Sequence, residues 1–203
     1  ASLLSKYKTT EEQGKRDRHV EKIKNAVKNL NDILDDFLSL GKLEEGKVET
    51  HPTSFNIEEF MEEVLEEMKP QEKAGQQILF SCDGEPIIFT DKRLLKNIII
   101  NLMANAIKFS DENTAIRISA RSCPNQFKIS IADKGIGICE EDQKQLFSSF
   151  FRGRNALNIQ GTGLGLHIIK RYADLLKGTI KIKSALGEGT TVTVTIPVIN
   201  QTS

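Results

Sequence analysis

A chain of 203 residues with 38% hydrophobic and 28% charged side chains is long enough for one core with an appendage and short for two full domains. Its 28 Lys and Arg offset 28 Asp and Glu, which supplies no broad positive field for nucleic acid, and no apolar run approaches the ~18 residues needed to cross a bilayer. Cys82, Cys123 and Cys139 are odd in number, lack a CxxC pair and fit a reducing, cytoplasmic compartment without a disulfide framework or zinc site.

The opening ASLLSKYKTTEEQ is not a signal peptide, and Leu3, Leu4 and Tyr7 are expected to end one helix before a turn at KTTEEQGK. From Val20 the apolar positions Val20, Ile23, Val27, Leu30, Leu34, Phe37 and Gly41 are spaced 3, 4, 3, 4, 3, 4, the seam of a coiled coil or bundle. The spacing predicts a helix over 15–42, about 40 Å long at 1.5 Å per residue. Such a stripe needs cover from a second copy of the chain, from further residues, or from the helix folding back on its own globular part.

A strand is expected at Val48–His51, followed by a helix capped by Asn56 with Glu59 completing a capping box. Ile57, Phe60, Met61, Val64, Leu65 and Met68 form its inward stripe. Gln77–Cys82 and Pro86–Phe89 are predicted strands separated by DGEP. A helix runs from Thr90 or Asp91 to about Phe109, strands follow at Ile116–Arg121 and Phe127–Asp133, and 135–161 is a loop with local helix. A helix over about Thr162–Leu176 precedes the hairpin GTIKIKSALGEGTTVTVTIP. The globular part is therefore α+β, in two layers.

Three polar constellations stand out. In NLMANAIKFS and the turn before it, Asn97, Asn101 and Asn105 recur at i, i+4, i+8 on one helical stripe, where amide oxygens suit magnesium and Lys108 reaches a phosphate; solvent-facing amides are the alternative. In DKGIGI, Asp133 ends a strand and Gly135 and Gly137 permit a tight turn or close approach of a ligand, so Asp133 either accepts from an adenine amino group or caps a turn. GTGLGL opens onto a helix start, where free N–H groups and the positive dipole end favour phosphate. It lies too late for a dinucleotide-binding βαβ unit, and no GK[ST] follows for a Walker loop.

NLMANAIKFS, DKGIGI, FSSFFRG, GTGLGL and GEGTTVTVTIP, in that order, resemble the ATP-binding domain of sensor histidine kinases, a superfamily shared with type II topoisomerase ATPases, Hsp90 and MutL. The first four stretches look like that family's N, G1, F and G2 boxes. The resemblance implies a two-layer ATP-binding sandwich of the histidine kinase, Hsp90 and topoisomerase type over 47–203, with a mobile ATP lid at 139–160 that includes Phe150, Phe151 and Arg152. It also implies that residues 1–46 are part of a dimerisation and phosphotransfer hairpin, with Gly41 where Ser is frequent.

By the same resemblance Asn105 coordinates magnesium, Asn101 lies near metal and phosphates, and Lys108 contacts the phosphates. Asp133 recognises adenine, Gly135 and Gly137 shape its pocket and Thr190 lies near adenine; Gly161, Gly163 and Gly165 line the phosphate side, and Arg152, Thr162 and Leu164 also belong to the nucleotide site. The implied cofactors are ATP and Mg2+. The implied partners are a second copy through the helical stalk and a response-regulator receiver domain, with no nucleic acid and no direct membrane contact by this segment, although the parent protein could be membrane-anchored.

The F box departs in reading FSSFFR, where an acidic residue and Pro often follow the first Phe. The family's phosphoacceptor His, followed by an acidic residue, is missing: His19, His51 and His167 all lie in other contexts. It is expected upstream of Ala1, so this segment should bind ATP without phosphorylating itself. An anti-sigma-type serine kinase and a non-catalytic regulatory ATP-binding module are the alternatives.

Overall fold

A computed structural model describes residues 13–156, 159 and 161–198, leaving the expected first helix at Leu3–Tyr7 and its turn outside the described residues. The chain divides between Glu45 and Gly46 into two compact units. In the first, α1 spans Gln13–Glu44, longer at both ends than the sequence pattern requires. Six seam residues, Val20, Ile23, Val27, Leu30, Leu34 and Phe37, are exposed along it, Phe37 to 63%. No described helix is long and apolar enough to cross a membrane.

The second unit is the predicted α+β sandwich. Its strands are β1 (Thr53–Asn56), β2 (Gln77–Gly84), β3 (Ile87–Thr90), β4 (Ala115–Cys123), β5 (Gln126–Asp133), β6 (Thr179–Ala185) and β7 (Gly189–Pro197). Five of them form one sheet in the order β2-β4-β5-β7-β6, while β1 and β3 pair separately. The helices are α2 (Ile57–Met68), α3 (Lys92–Phe109), the single turn α4 (Glu140–Gln143) and α5 (Gly165–Leu175). One face of the large sheet carries Ile116, Ile118, Phe127, Ile129, Ile131, Val192, Val194 and Ile196, all buried. Burial of each such side chain stabilises the fold by about 1.5–3 kcal/mol.

The expected strand at Val48–His51 is not formed; the extended segment begins after Pro52, where Thr53–Asn56 finds a partner in Ile87–Thr90. Pairing with a strand more than thirty residues away decides this, and local pattern does not report it. DGEP separates two strands that belong to different sheets, since β2 pairs β4 in parallel and β3 pairs β1. Asn56 caps α2 as expected, its Oδ1 accepting from the amides of Glu58 at 2.9 Å and Glu59 at 3.4 Å. Asp91 caps α3: Oδ1 takes the Arg93 and Leu94 amides at 3.0 Å, while Oδ2 takes the His51 amide at 2.7 Å. That second bond ties the strand-free segment before β1 to the helix carrying the asparagines.

Candidate functional site

The C-terminal half of α3 is the meeting point of the three constellations. Asn97, Asn101 and Asn105 are half-buried on one stripe, while Ile98, Leu102 and Ala106 go into the core. Asn101 donates from Nδ2 to the Asn97 carbonyl at 2.9 Å, which fixes its amide and leaves Oδ1 facing Gly165, 3.6 Å from where a Cβ would stand. The Asn105 amide makes no hydrogen bond among the described residues. Lys108 Nζ lies 4.8 Å from the Phe109 ring centroid and 2.5 Å from the place of a Cβ on Gly161, so a side chain there would make the flexible ammonium shift.

DKGIGI joins the same end of α3. Ser110 bridges Gly135, and the Ile136 amide donates to the Phe109 carbonyl at 3.2 Å. Asp133 Oδ1 accepts from the Gly135 amide at 2.8 Å and from the Thr190 amide at 3.2 Å, joining β5 to β7. Both local readings of this motif are therefore compatible: one oxygen caps the turn, and Oδ2 accepts nothing from the described residues. Burial pushes the Asp133 carboxyl above the ordinary carboxylate range, partly opposed by those two amides.

GTGLGL lies against Phe150 and Phe151. A Cβ on Gly163, at φ +75°, would stand 2.7 Å from the Phe150 carbonyl carbon and 2.8 Å from the Phe151 oxygen. Thr162 Oγ1 accepts from the Leu164 amide at 3.1 Å, so 162–164 is loop and α5 starts at Gly165, three residues later than the sequence pattern placed it. No side chain caps α5, which leaves its first-turn amides to a ligand or water. His167 Nδ1 meets the Phe147 carbonyl at 2.8 Å, a further tie between α5 and the preceding segment.

In the segment before GTGLGL, Arg152 donates to the carbonyls of Ala156, at 2.9 Å, and Ile159. Its guanidinium therefore organises the backbone of this segment. Asn155 donates to the Gly137 carbonyl at 2.8 Å, and Gln143 to the carbonyls of Ile138 and Ser184, each at 2.9 Å. Asp142, buried, accepts from the Arg154 amide at 2.9 Å and from its Nε at 3.3 Å, while Arg154 also pairs with Glu141. The Arg154 amide above all holds the Asp142 carboxyl below its usual range.

A depressed folded-state pKa contributes stability that is complete above the unfolded value, about 3.9, and lost as pH falls through the folded one. The Asp142–Arg154 anchor should accordingly hold at neutral pH and loosen in acid. Asp142→Asn is expected to reproduce the loosening at neutral pH, seen as several-fold faster tryptic cleavage after Arg152 or Arg154, whereas unchanged cleavage would mean that the anchor does not order the lid.

Several supports carry no sequence pattern. Gln76, buried, donates from Nε2 to the carbonyls of Ile107, Ser110 and Asp111, and Lys73 donates to those of Lys108 and Ser110. Together they satisfy carbonyls that the end of α3 leaves open. Ser184 Oγ donates to the Gly189 carbonyl and meets Thr190 Oγ1, each at 2.8 Å, fixing the hairpin beside Asp133. A lysine and a glutamine a few residues upstream of a strand offered no signal for the first pair.

The model of the family described as histidine kinase-, DNA gyrase B- and HSP90-like ATPase matches residues 90–200. The chain is 32% identical over 184 residues to the histidine protein kinase DivJ of Caulobacter vibrioides, covering 89% of this chain and 31% of that protein. It is 30% identical over 185 residues to the sensor-like histidine kinase SenX3 of Mycobacterium tuberculosis, covering 90% of this chain and 45% of the relative. Among solved structures, the Acinetobacter baumannii histidine kinase AdeS superposes with a TM-score of 0.73 at 25% identity, over 89% of this chain and 84% of that one. Full-length ShkA in complex with AMPPNP gives a TM-score of 0.76 at 25% identity, over 97% of this chain and 41% of that one.

Proposed function

The chain belongs to the histidine kinase-, DNA gyrase B- and HSP90-like ATPase family, with the catalytic ATP-binding fold of sensor histidine kinases, and from that premise we propose that α3, DKGIGI and GTGLGL bind ATP with magnesium for phosphoryl transfer to a histidine of the helical stalk. The supporting observation is the convergence on one helix end of an unengaged Asn105 amide, the open Oδ2 of Asp133 and glycines whose Cβ positions are already filled.

The residues suit the ligand. Among the described residues no group of three His, Cys, Asp or Glu side chains gathers to hold a metal alone, which fits an ion that enters on nucleotide phosphates and takes Asn105 as its protein ligand. Bound magnesium offsets charge on the phosphate chain. Asp133 would orient adenine, Thr190 and Gly137 would bound its pocket, and Gly135 lets the turn close against α3. Lys108, with the α5 first-turn amides and Gly161, Thr162, Gly163, Leu164 and Gly165, would neutralise and align the phosphates, and Asn101 would fix the approach of GTGLGL to α3. Arg152 would serve by shaping a lid that excludes water.

The chain spans less than half of DivJ and of SenX3, so the acceptor histidine, onward transfer to a response-regulator aspartate, and pairing of two copies through the exposed α1 seam all belong to this proposal. The stalk helix favours a histidine kinase over an anti-sigma kinase.

Asn105→Asp tests the site. It preserves shape while placing a carboxylate beside the phosphate chain, so calorimetry with Mg-ATP should show affinity falling at least about tenfold, about 1.4 kcal/mol. Unchanged affinity would remove Asn105 from the metal site.

A further inference from the structure

Among the described residues of the second unit, no helix covers the second face of the five-stranded sheet. Register places its outward side chains in three rows from β2 to β6: Leu79, Arg117, Ala132, Thr191, Lys183; then Ser81, Ser119, Ser130, Thr193, Lys181; then Asp83, Arg121, Lys128, Thr195, Thr179. Arg117, Arg121, Lys128, Lys181 and Lys183 are all exposed, against the single carboxylate of Asp83, which pairs with Arg121 at 3.3 Å. In a chain whose formal charge is zero, this is a segregated basic face. The opposing charge is equally concentrated. Helix α2 presents Glu58, Glu59, Glu62, Glu63, Glu66 and Glu67, all exposed; Glu63 and Glu67 pair with Lys92 and Lys96, while Glu58, Glu59, Glu62 and Glu66 have no ion pair among the described residues.

We propose that the basic outer face of the sheet docks the acidic face of α2 from a second copy of this chain. The dimensions agree: α2, of 12 residues, is about 18 Å long and the sheet about 19 Å from β2 to β6. A helix laid across the strands would therefore bring glutamates towards the arginines of β4 at one end and the lysines of β6 at the other. Successive glutamates at i, i+4 rise about 6 Å along the helix, against about 4.8 Å from one strand to the next in the direction the helix crosses.

Other occupants fit less well. The rows contain no aromatic side chain on which bases could stack. Twist of about 20–25° between neighbouring strands turns β2 well away from β6, so a planar bilayer would meet only part of the positive charge. The docked surfaces differ, making the contact heterologous and able to continue from copy to copy. One helix face buries well under the ~800 Å2 per partner of a stable interface, so association is weak and strongly salt-dependent.

Sedimentation of the full chain with two charge reversals tests this: Lys181→Glu with Lys183→Glu on the sheet, and Glu62→Lys with Glu66→Lys on the helix. Wild type at about 20 mM salt should gain mass with concentration beyond any α1-linked dimer and lose the increment by about 300 mM, the opposite of apolar association. Each variant, its fold checked by circular dichroism, should associate about tenfold more weakly, and mixing the two should restore complexes, because the unaltered acidic helix of the sheet variant then meets the unaltered basic sheet of the helix variant. Mass indifferent to salt, variants that associate like wild type, or a mixture no heavier than its components would overturn the proposal. So would wild type that binds phosphatidylserine vesicles or single-stranded DNA without associating with itself.

Discussion

Asp133→Asn is expected to lower Mg-ATP affinity about 100-fold while leaving the nucleotide-free protein at least as stable as wild type at neutral pH. The turn survives, because the Asn Oδ1 can accept the Gly135 and Thr190 amides as the carboxylate does. What changes is the second arm, which becomes an NH2 donor facing the donor on adenine. Stability moves the other way. Burial raises the Asp133 pKa, so its contribution is fully present below the unfolded value, about 3.9, and is lost as pH rises through the folded one. At neutral pH wild type therefore carries the cost of a half-buried charge that the amide lacks. Calorimetry gives the first quantity and thermal melts across pH 3 to 8 give the second. A variant that binds ATP like wild type would take Asp133 out of the adenine pocket, and one whose melting temperature falls at neutral pH would show that the carboxylate is needed for the turn itself.

Much of this architecture follows from local pattern. The 3, 4 spacing from Val20 produces α1, and alternation in TIKIKSA and TTVTVTI produces the closing hairpin, because each has its determining neighbours within a few residues. Pairings set at long range were not legible. Nothing in QILFSCDG announces a parallel partner at Ala115–Ser122, and Thr53–Asn56 becomes a strand only because Ile87–Thr90 lies beside it. The candidate site divides the same way. Asn101, Asn105 and Asp133 stand out as polar residues where the pattern calls for apolar ones. Gln76 and Lys73 do not, because their work is to reach carbonyls at the end of α3, a need that exists only once the helix has ended there. Arg152 is assigned to the nucleotide site by resemblance alone, and its guanidinium donates to the carbonyls of Ala156 and Ile159.

Gly137→Ala and Gly187→Ala are expected to differ sharply although both glycines are left-handed, at φ +65° and +75°. The conformational term is common to both, about 1–2 kcal/mol for placing an alanine there. The surroundings are not. A Cβ on Gly137 would stand 1.9 Å from the Ala185 carbonyl oxygen and 2.7 Å from its carbon, backbone atoms at the end of β6 that cannot swing aside, whereas a Cβ on Gly187 would meet nothing within 4 Å. Gly187→Ala should therefore cost only the shared term, a few degrees in melting temperature. Gly137→Ala must push the β6–β7 hairpin away from β5, for a total of about 3 kcal/mol or more. That displacement pulls on the amide of Thr190 that helps hold Asp133, and on the Gly137 carbonyl that receives Asn155 from the lid. Nucleotide affinity should accordingly fall in Gly137→Ala and persist in Gly187→Ala, measured by calorimetry below both melting temperatures. Equal melting temperatures for the two variants would show that the hairpin yields at little cost, and retained affinity in Gly137→Ala would detach the adenine pocket from this close approach.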